Sequence, residues 1–215
     1  AGRVWLGTDG WGLVCLKGER LYRYTVDDGL LENAVSSMAE DDEGQLWAGH
    51  YGAGLTRLDL ASMRSLTSQP ATGFIKRDHT GKLWFNSGYE LCCLEGKNLR
   101  RRTIEGTVTA FLEDVDGKLW VGALHAGLYC FRDALQVWQA EPDAHYTTEH
   151  GFMSPDVTAL LQRCNGEIWA ATRYPASVAY LRDGRWESFR VGQEDITALI
   201  EDSHGRLWFG GGEGG

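Results

Sequence analysis

Six residues of this 215-residue chain have side chains of the kind that grip a sugar: Trp11, Tyr51, Tyr89, His125, Arg173 and Tyr174. They stand in five short polar stretches, "TDGWG", "HYGAG", "SGYE", "ALHAG" and "TRYPAS". An aromatic plane covers the apolar C–H face of a sugar ring, while polar neighbours meet its hydroxyls. The same residue types also pack loop against loop or anchor a protein partner. Which of these applies depends on where the fold puts them.

Other chemistry is weaker. The stretch "WQAEPDAHYTTEHGFMSP" before Val157 holds His145, His150, Glu141, Asp143 and Glu149, all metal-ligating types. It lacks a fixed ligand frame such as H-x-x-x-H on a helix, so no metal is assigned. The acids of a recurring "ED" pair read as turn devices, because an active site is asymmetric whereas these recur. No G-x-S-x-G elbow is present. "GGGEGG" (210–215) lacks the Lys-Ser/Thr of a phosphate loop and matches "GTDGWG" and "GHYGAG" instead. Five cysteines, an odd count without C-x-x-C, argue against a zinc site or a disulfide framework. Cys15, Cys93 and Cys130 each follow a Leu by two residues and read as small packing residues. No catalytic residue and no cofactor is therefore assigned.

A net charge of −9 argues against a nucleic-acid partner, which needs a basic face. The one basic run, Arg100-Arg101-Arg102, reads as a solvated strand edge. No apolar run has transmembrane length, so a membrane would be reached only through other segments.

The elements that position the six residues are set by a repeat. G-x-[VLI]-W occurs six times, ending at Trp5, Trp47, Trp84, Trp120, Trp169 and Trp208. Twelve residues before the Trp stands Val35, Val108, Val157 or Ile196, with Thr72 as the odd copy. Six before it stands Asp41, Asp78, Asp114 or Asp202, with Arg163 as the exception. Eight after it stands Leu13, Leu55 or Leu128. A further phrase, Y-T-x-x-x-G-[LF], precedes two copies, from Tyr24 and from Tyr146.

"VTAFLE" and "ITALIE" predict short strands buried on both faces. D-x-x-G predicts a tight reversal in which the carboxylate accepts turn amides and Gly takes positive φ. "KLWVG" predicts a second strand whose indole packs between sheets. "GLYCF" and "WESFRV" predict a third and a fourth. Four antiparallel strands in about 40 residues are the blade of a β-propeller. Helices are not expected, since Gly or Asp interrupts every few residues. The fold expected is all-β, with five blades' worth of strands in one propeller segment over 1–215. Counting from a second strand at Trp5 to a second strand at Trp208 gives twenty-one strands. Both ends carry the same strand, so we expect a slice of a longer array whose bare edges promote association.

The repeat resembles the two-component regulator propeller family, most clearly in "VSSMAEDDEGQLWAGHYGAGLTRLD", "VTAFLEDVDGKLWVGALHAGLYCF" and "ITALIEDSHGRLWFGGGEGG". The copies at Trp84 ("KRD") and Trp169 ("QRCNG") depart from it, which puts their turn geometry in question. The resemblance implies a periplasmic sensor region of a bacterial hybrid histidine kinase, cut from a seven-bladed propeller. It further implies an oligosaccharide ligand and a homodimer formed through the parent protein. A propeller lyase or glycosidase, and a non-catalytic protein scaffold, are the alternatives.

Overall fold

A computed structural model describes residues 2–41, 43–58, 63–66, 73–96, 98–192 and 195–211. Thr72 and Gly212–Gly215 of the repeat frame lie outside the described residues.

The chain is built of antiparallel meanders. β1 (Arg3–Gly7), β2 (Leu13–Lys17) and β3 (Arg20–Tyr24) form a three-stranded sheet. Four-stranded sheets follow: β4 (Val35–Glu40), β5 (Leu46–His50), β6 (Gly54–Leu58) and β7 (Met63–Leu66), then β8 (Ile75–Arg77), β9 (Leu83–Ser87), β10 (Glu90–Glu95) and β11 (Asn98–Thr103). Next come β12 (Thr107–Glu113), β13 (Leu119–Leu124), β14 (Gly127–Phe131) and β15 (Ala144–Tyr146), then β16 (Val157–Gln162), β17 (Ile168–Thr172), β18 (Ser177–Arg182) and β19 (Arg185–Arg190). A pair closes the series, β20 (Ile196–Glu201) and β21 (Leu207–Gly211). Among the described residues these are the twenty-one strands expected, in the expected order. They divide into two compact units, 1–101 and 102–215, with the boundary inside β11.

Each blade turns on its aspartate. One oxygen of Asp114 accepts the amides of Asp116 and Lys118, and the other accepts the indole N–H of Trp120 at 2.8 Å. Asp41, Asp78 and Asp202 hold Trp47, Trp84 and Trp208 in the same way, at 2.6, 2.8 and 2.9 Å. The carboxylate thus ties the reversal to the tryptophan six residues on. Burial alone would raise the Asp78 pKa, but the Trp84 indole, the Thr80 hydroxyl and two amides outweigh it and hold the group below its ordinary value. Asp202, with the Trp208 indole as its strongest donor, is held at about 2.

At the departing copy, Arg163 keeps the backbone turn, with its amide donating to Glu167 O and Gly166 N donating back to Arg163 O. Its side chain stays beside Glu167 of the same turn, with Nη1 3.6 Å from a Glu167 carboxylate oxygen, and also reaches the next blade. The guanidinium donates from Nε and Nη2 to Glu201 of β20 and from Nη2 to Gly205 O, while Cys164 N donates to the other Glu201 oxygen. Glu167 takes over the indole N–H of Trp169 at 3.3 Å. In β20, therefore, the Glu of the "ED" pair grips the turn of the preceding blade.

Trp47, Trp84, Trp120 and Trp169 are buried as expected, whereas Trp208 is exposed. Trp47 lies among Ile75, Leu83, Phe85 and Cys92 of the next sheet, and Trp120 among Phe152, Val157, Ile168 and Trp186. Gly122, two residues after Trp120, leaves room for that approach: a Cβ there would lie 2.6 Å from Val157 Cγ1. First strands depart from the sequence reading in two ways. They are half-buried rather than dry on both faces, and four carry a bulge at Ser36, Thr109, Thr158 or Thr197. The bulged hydroxyl stitches blades together: Thr109 donates to Gly122 O and to Val157 O of the next first strand.

Two more expectations need correction. A single helical turn, α1 (Gln136–Gln139), fills the insertion before β15. Arg102 is not a solvated edge residue, since its guanidinium donates to the carbonyls of Val137 and Ala140 and lies over Phe131. The phrase Y-T-x-x-x-G is a short 3-10 turn, in which Thr25 N donates to Asp28 and Gly29 closes at φ 107°. Its second copy uses His150 Nδ1 as the acceptor for Thr147 N, and His145 stacks on Tyr129. Cys15, Cys92, Cys93 and Cys130 are buried free thiols, as the packing reading expects, whereas Cys164 is exposed. Burial pushes the Cys92 and Cys93 thiols up to about 12.

Candidate ligand-binding loops

In unit 102–215 the site grows from the segment Ser154-Pro155-Asp156, which crosses from one blade to the next. Gly127 N donates to Pro155 O, and Arg173 N donates to Asp156 O. The crossing is thereby pinned to the β13–β14 loop on one side and the β17–β18 loop on the other. Gly127 must be glycine, because at φ 84° a Cβ would sit 2.2 Å from Tyr146 O.

Asp156 is only 6 % exposed, yet both of its oxygens are engaged. Oδ1 accepts the His125 amide at 2.6 Å and faces His125 Nδ1 at 3.0 Å. Oδ2 accepts Arg173 Nε at 3.3 Å. The Arg173 guanidinium lies over the Tyr174 ring, 5.4 Å from its centroid. Tyr174 is 68 % exposed and the His125 side chain 78 %. Three of the six candidate residues are thus gathered around one buried carboxylate, His125 and Arg173 directly and Tyr174 through Arg173. His125 (φ 65°) and Tyr174 (φ 50°) both hold left-handed backbone, a conformation that costs a non-glycine residue roughly 1–2 kcal/mol.

In unit 1–101 the corresponding crossing is Leu31–Ala34. Gly12 N donates to Asn33 O, and Val35 N donates to Thr8 O. Here Ala34 takes the place of Asp156, and a cavity of about 430 Å³ opens, lined by Asp9, Glu32, Ala34, Val35, Ser36 and Tyr51. Beneath it His50 is fully buried, with Nδ1 on Ala34 O and Nε2 on Thr56 Oγ1. Trp11 is exposed and does not line the cavity; Arg23 donates to its carbonyl and lies over its ring. Tyr89 stands exposed at the tight β9–β10 turn.

Sequence reasoning missed Asp156, Asp9 and Glu32. For Asp156 a signal existed: the position before the frame's Val or Ile reads Ala34, Thr107, Asp156 and Asp195. Such variation inside a regular frame marks a position the fold does not prescribe.

The frame itself can be compared with known families. The family described as Two component regulator propeller matches residues 29–52 and 191–213, which carry β4–β5 and β20–β21 with their turns. Those segments are two-component regulator propeller repeats. No curated protein matches the sequence. Among solved structures, the chain is similar to the extracellular domain of a protein named as the putative hybrid two-component system BT3049 of B. thetaiotaomicron. That likeness has 19 % identity and TM-score 0.78, covering 97 % of this chain and 30 % of that one. The chain is also similar to PorZ, a surface component of the type-IX secretion system of Porphyromonas gingivalis (18 %, TM-score 0.72, 96 % and 36 %). A third likeness is to virginiamycin B lyase from Staphylococcus aureus (14 %, TM-score 0.77, 98 % and 74 %). At these identities the likeness shows the fold alone, a β-propeller. The chain spans between 30 % and 39 % of the length of the two-component extracellular domains it matches. Among the described residues no helix is long and apolar enough to cross a membrane.

Proposed function

We propose that this chain is a ligand-recognising propeller segment of a bacterial signalling protein, displayed outside the cytoplasm, and that its ligand is a glycan fragment. The observation that carries the reading is the cluster on Asp156, where the exposed Tyr174 ring lies beside Arg173 and His125. A stacking plane next to anchored polar groups is the arrangement a sugar needs. The regulator-propeller repeats and the likeness to extracellular domains of two-component systems support the setting. Such a segment would pass its signal on through contacts of the parent protein, including a homodimer.

Titration calorimetry of the chain against a panel of oligosaccharides tests this. Micromolar to millimolar binding that Tyr174→Ala weakens at least tenfold is the expected outcome. Absence of heat with every sugar would overturn it. One observation favours a second reading, a propeller enzyme. Asp156 holds His125 by Nδ1 and leaves Nε2 outward, as a general base is held. Release of new reducing ends or unsaturated products from any panel sugar would establish that reading instead.

A further inference from the structure

We infer that Arg173, His125 and Tyr174, assembled on Asp156, form a recognition site for a carboxylate carried on a sugar ring, that is, for a uronate. This deepens the glycan-recognition reading above and rests on it.

The argument starts from what Asp156 is used for. Both of its oxygens point inward to protein donors, so it is a buttress rather than a ligand contact. A buttressed arginine keeps its terminal nitrogens in one orientation, and such preorganisation is what a binding site requires. Among the described residues neither Nη of Arg173 nor Nε2 of His125 has a partner. A guanidinium anchored through Nε presents its two Nη groups as a fork, and that fork matches a carboxylate. Tyr174 packs under the guanidinium and remains largely exposed, which leaves aromatic surface for the ring that carries the carboxylate.

The backbone points the same way. His125 and Tyr174, both non-glycine, are held at positive φ on either side of the one carboxylate. Backbone strain of that kind gathers where a fold fixes functional side chains. Charge sharpens the selection, because a chain of net charge −9 repels an anion except where donors are organised for it.

The test uses the full 215-residue chain, with calorimetry and 15N-labelled histidine spectra. The probes are oligomers of galacturonate and glucuronate, their methyl esters, the neutral galactose trimer, and citrate. A uronate oligomer is expected to bind and to shift the His125 ring resonances, its ester to bind at least tenfold more weakly. Arg173→Gln should lose tenfold or more, and Arg173→Lys, with the charge but not the fork, should recover part of that. Near-UV dichroism of each variant establishes that it is folded. Equal affinity for acid and ester, or an unchanged Arg173→Gln, overturns the proposal. Binding of the neutral trimer alone overturns the carboxylate but leaves glycan recognition standing, whereas silence from every sugar and from citrate ends both. Citrate binding as tightly as the uronates upholds the carboxylate fork and overturns the sugar as its carrier.

Discussion

Asp114 does three things with one carboxylate: it accepts two turn amides and the Trp120 indole. Asparagine in its place keeps the shape and one acceptor oxygen but turns an NH2 toward the indole N–H. Leaving a buried donor unpaired costs about 1–3 kcal/mol, so Asp114→Asn should lower unfolding stability by that much in urea melts. The same change at Asp202 should do less, because Trp208 is already 55 % exposed. His50 sets a pH dependence. Ala34 O can only accept, so Nδ1 carries the proton and Nε2 accepts from Thr56; burial then holds the ring below the usual histidine pKa. A group lowered in the fold stabilises fully above its unfolded value, near 6.5, and that contribution is lost as pH falls through the folded value. Thermal melts should therefore weaken from pH 7.5 to 5, and His50→Gln should flatten that slope whatever its own cost. The turn role of the aspartates was legible in D-x-x-G. The indole clasp was not, although the six-residue spacing was in view, because it depends on the hairpin folding Trp back over the turn. Asp156 escaped for another reason: its partners lie 17 and 31 residues away on two different loops.

Elements in this fold are held by close approach as much as by hydrogen bonds. Gly122 lets Val157 of the next first strand reach the second strand, and an added methyl would meet Val157 Cγ1 at 2.6 Å. Overpacking of this sort costs about 1–3 kcal/mol. Gly122→Ala should show that loss in urea melts, and combining it with Val157→Ala should cost less than the two singles added together. A cycle that is strictly additive would mean the blades do not meet there. At Gly127 no partner change should rescue alanine, since the obstacle is the Tyr146 carbonyl itself. Sequence reading placed the strands through V…D…G-x-L-W. It could not see the bulge at Ser36, Thr109, Thr158 and Thr197, because a bulge is a matter of register between strands. Nor could composition announce α1, a single turn stabilised by Arg102 from β11.

At the scale of the whole molecule, the twenty-one strands and their grouping were legible because one phrase repeats at near-constant spacing. The division into units 1–101 and 102–215 was not, since the frame runs through it unbroken. Two sheets carry fewer than four strands and show apolar side chains to solvent: Val4 and Leu6 on β1, and Ile200, Trp208 and Phe209 on β20–β21. Exposed edges with apolar residues recruit further strands. The 215-residue chain should therefore associate at tens of micromolar in light scattering coupled to gel filtration. Trp208→Ser with Leu6→Ser should shift it toward monomer, and a wild-type chain that stays monomeric at 100 micromolar would contradict this.

The arginine at position 163 has a consequence for ancestry. Blades that began as copies ought to be interchangeable, and a copy bearing Asp114 could in principle be spliced anywhere in the series. One cannot be spliced in ahead of β20: without Arg163, Glu201 would lose the cation that grips it from the preceding turn. An exchange that separates the two blades should therefore cost stability that moving them together would keep. The contact gives these two repeats a fixed order that the other copies, as their shared Asp turns show, do not need.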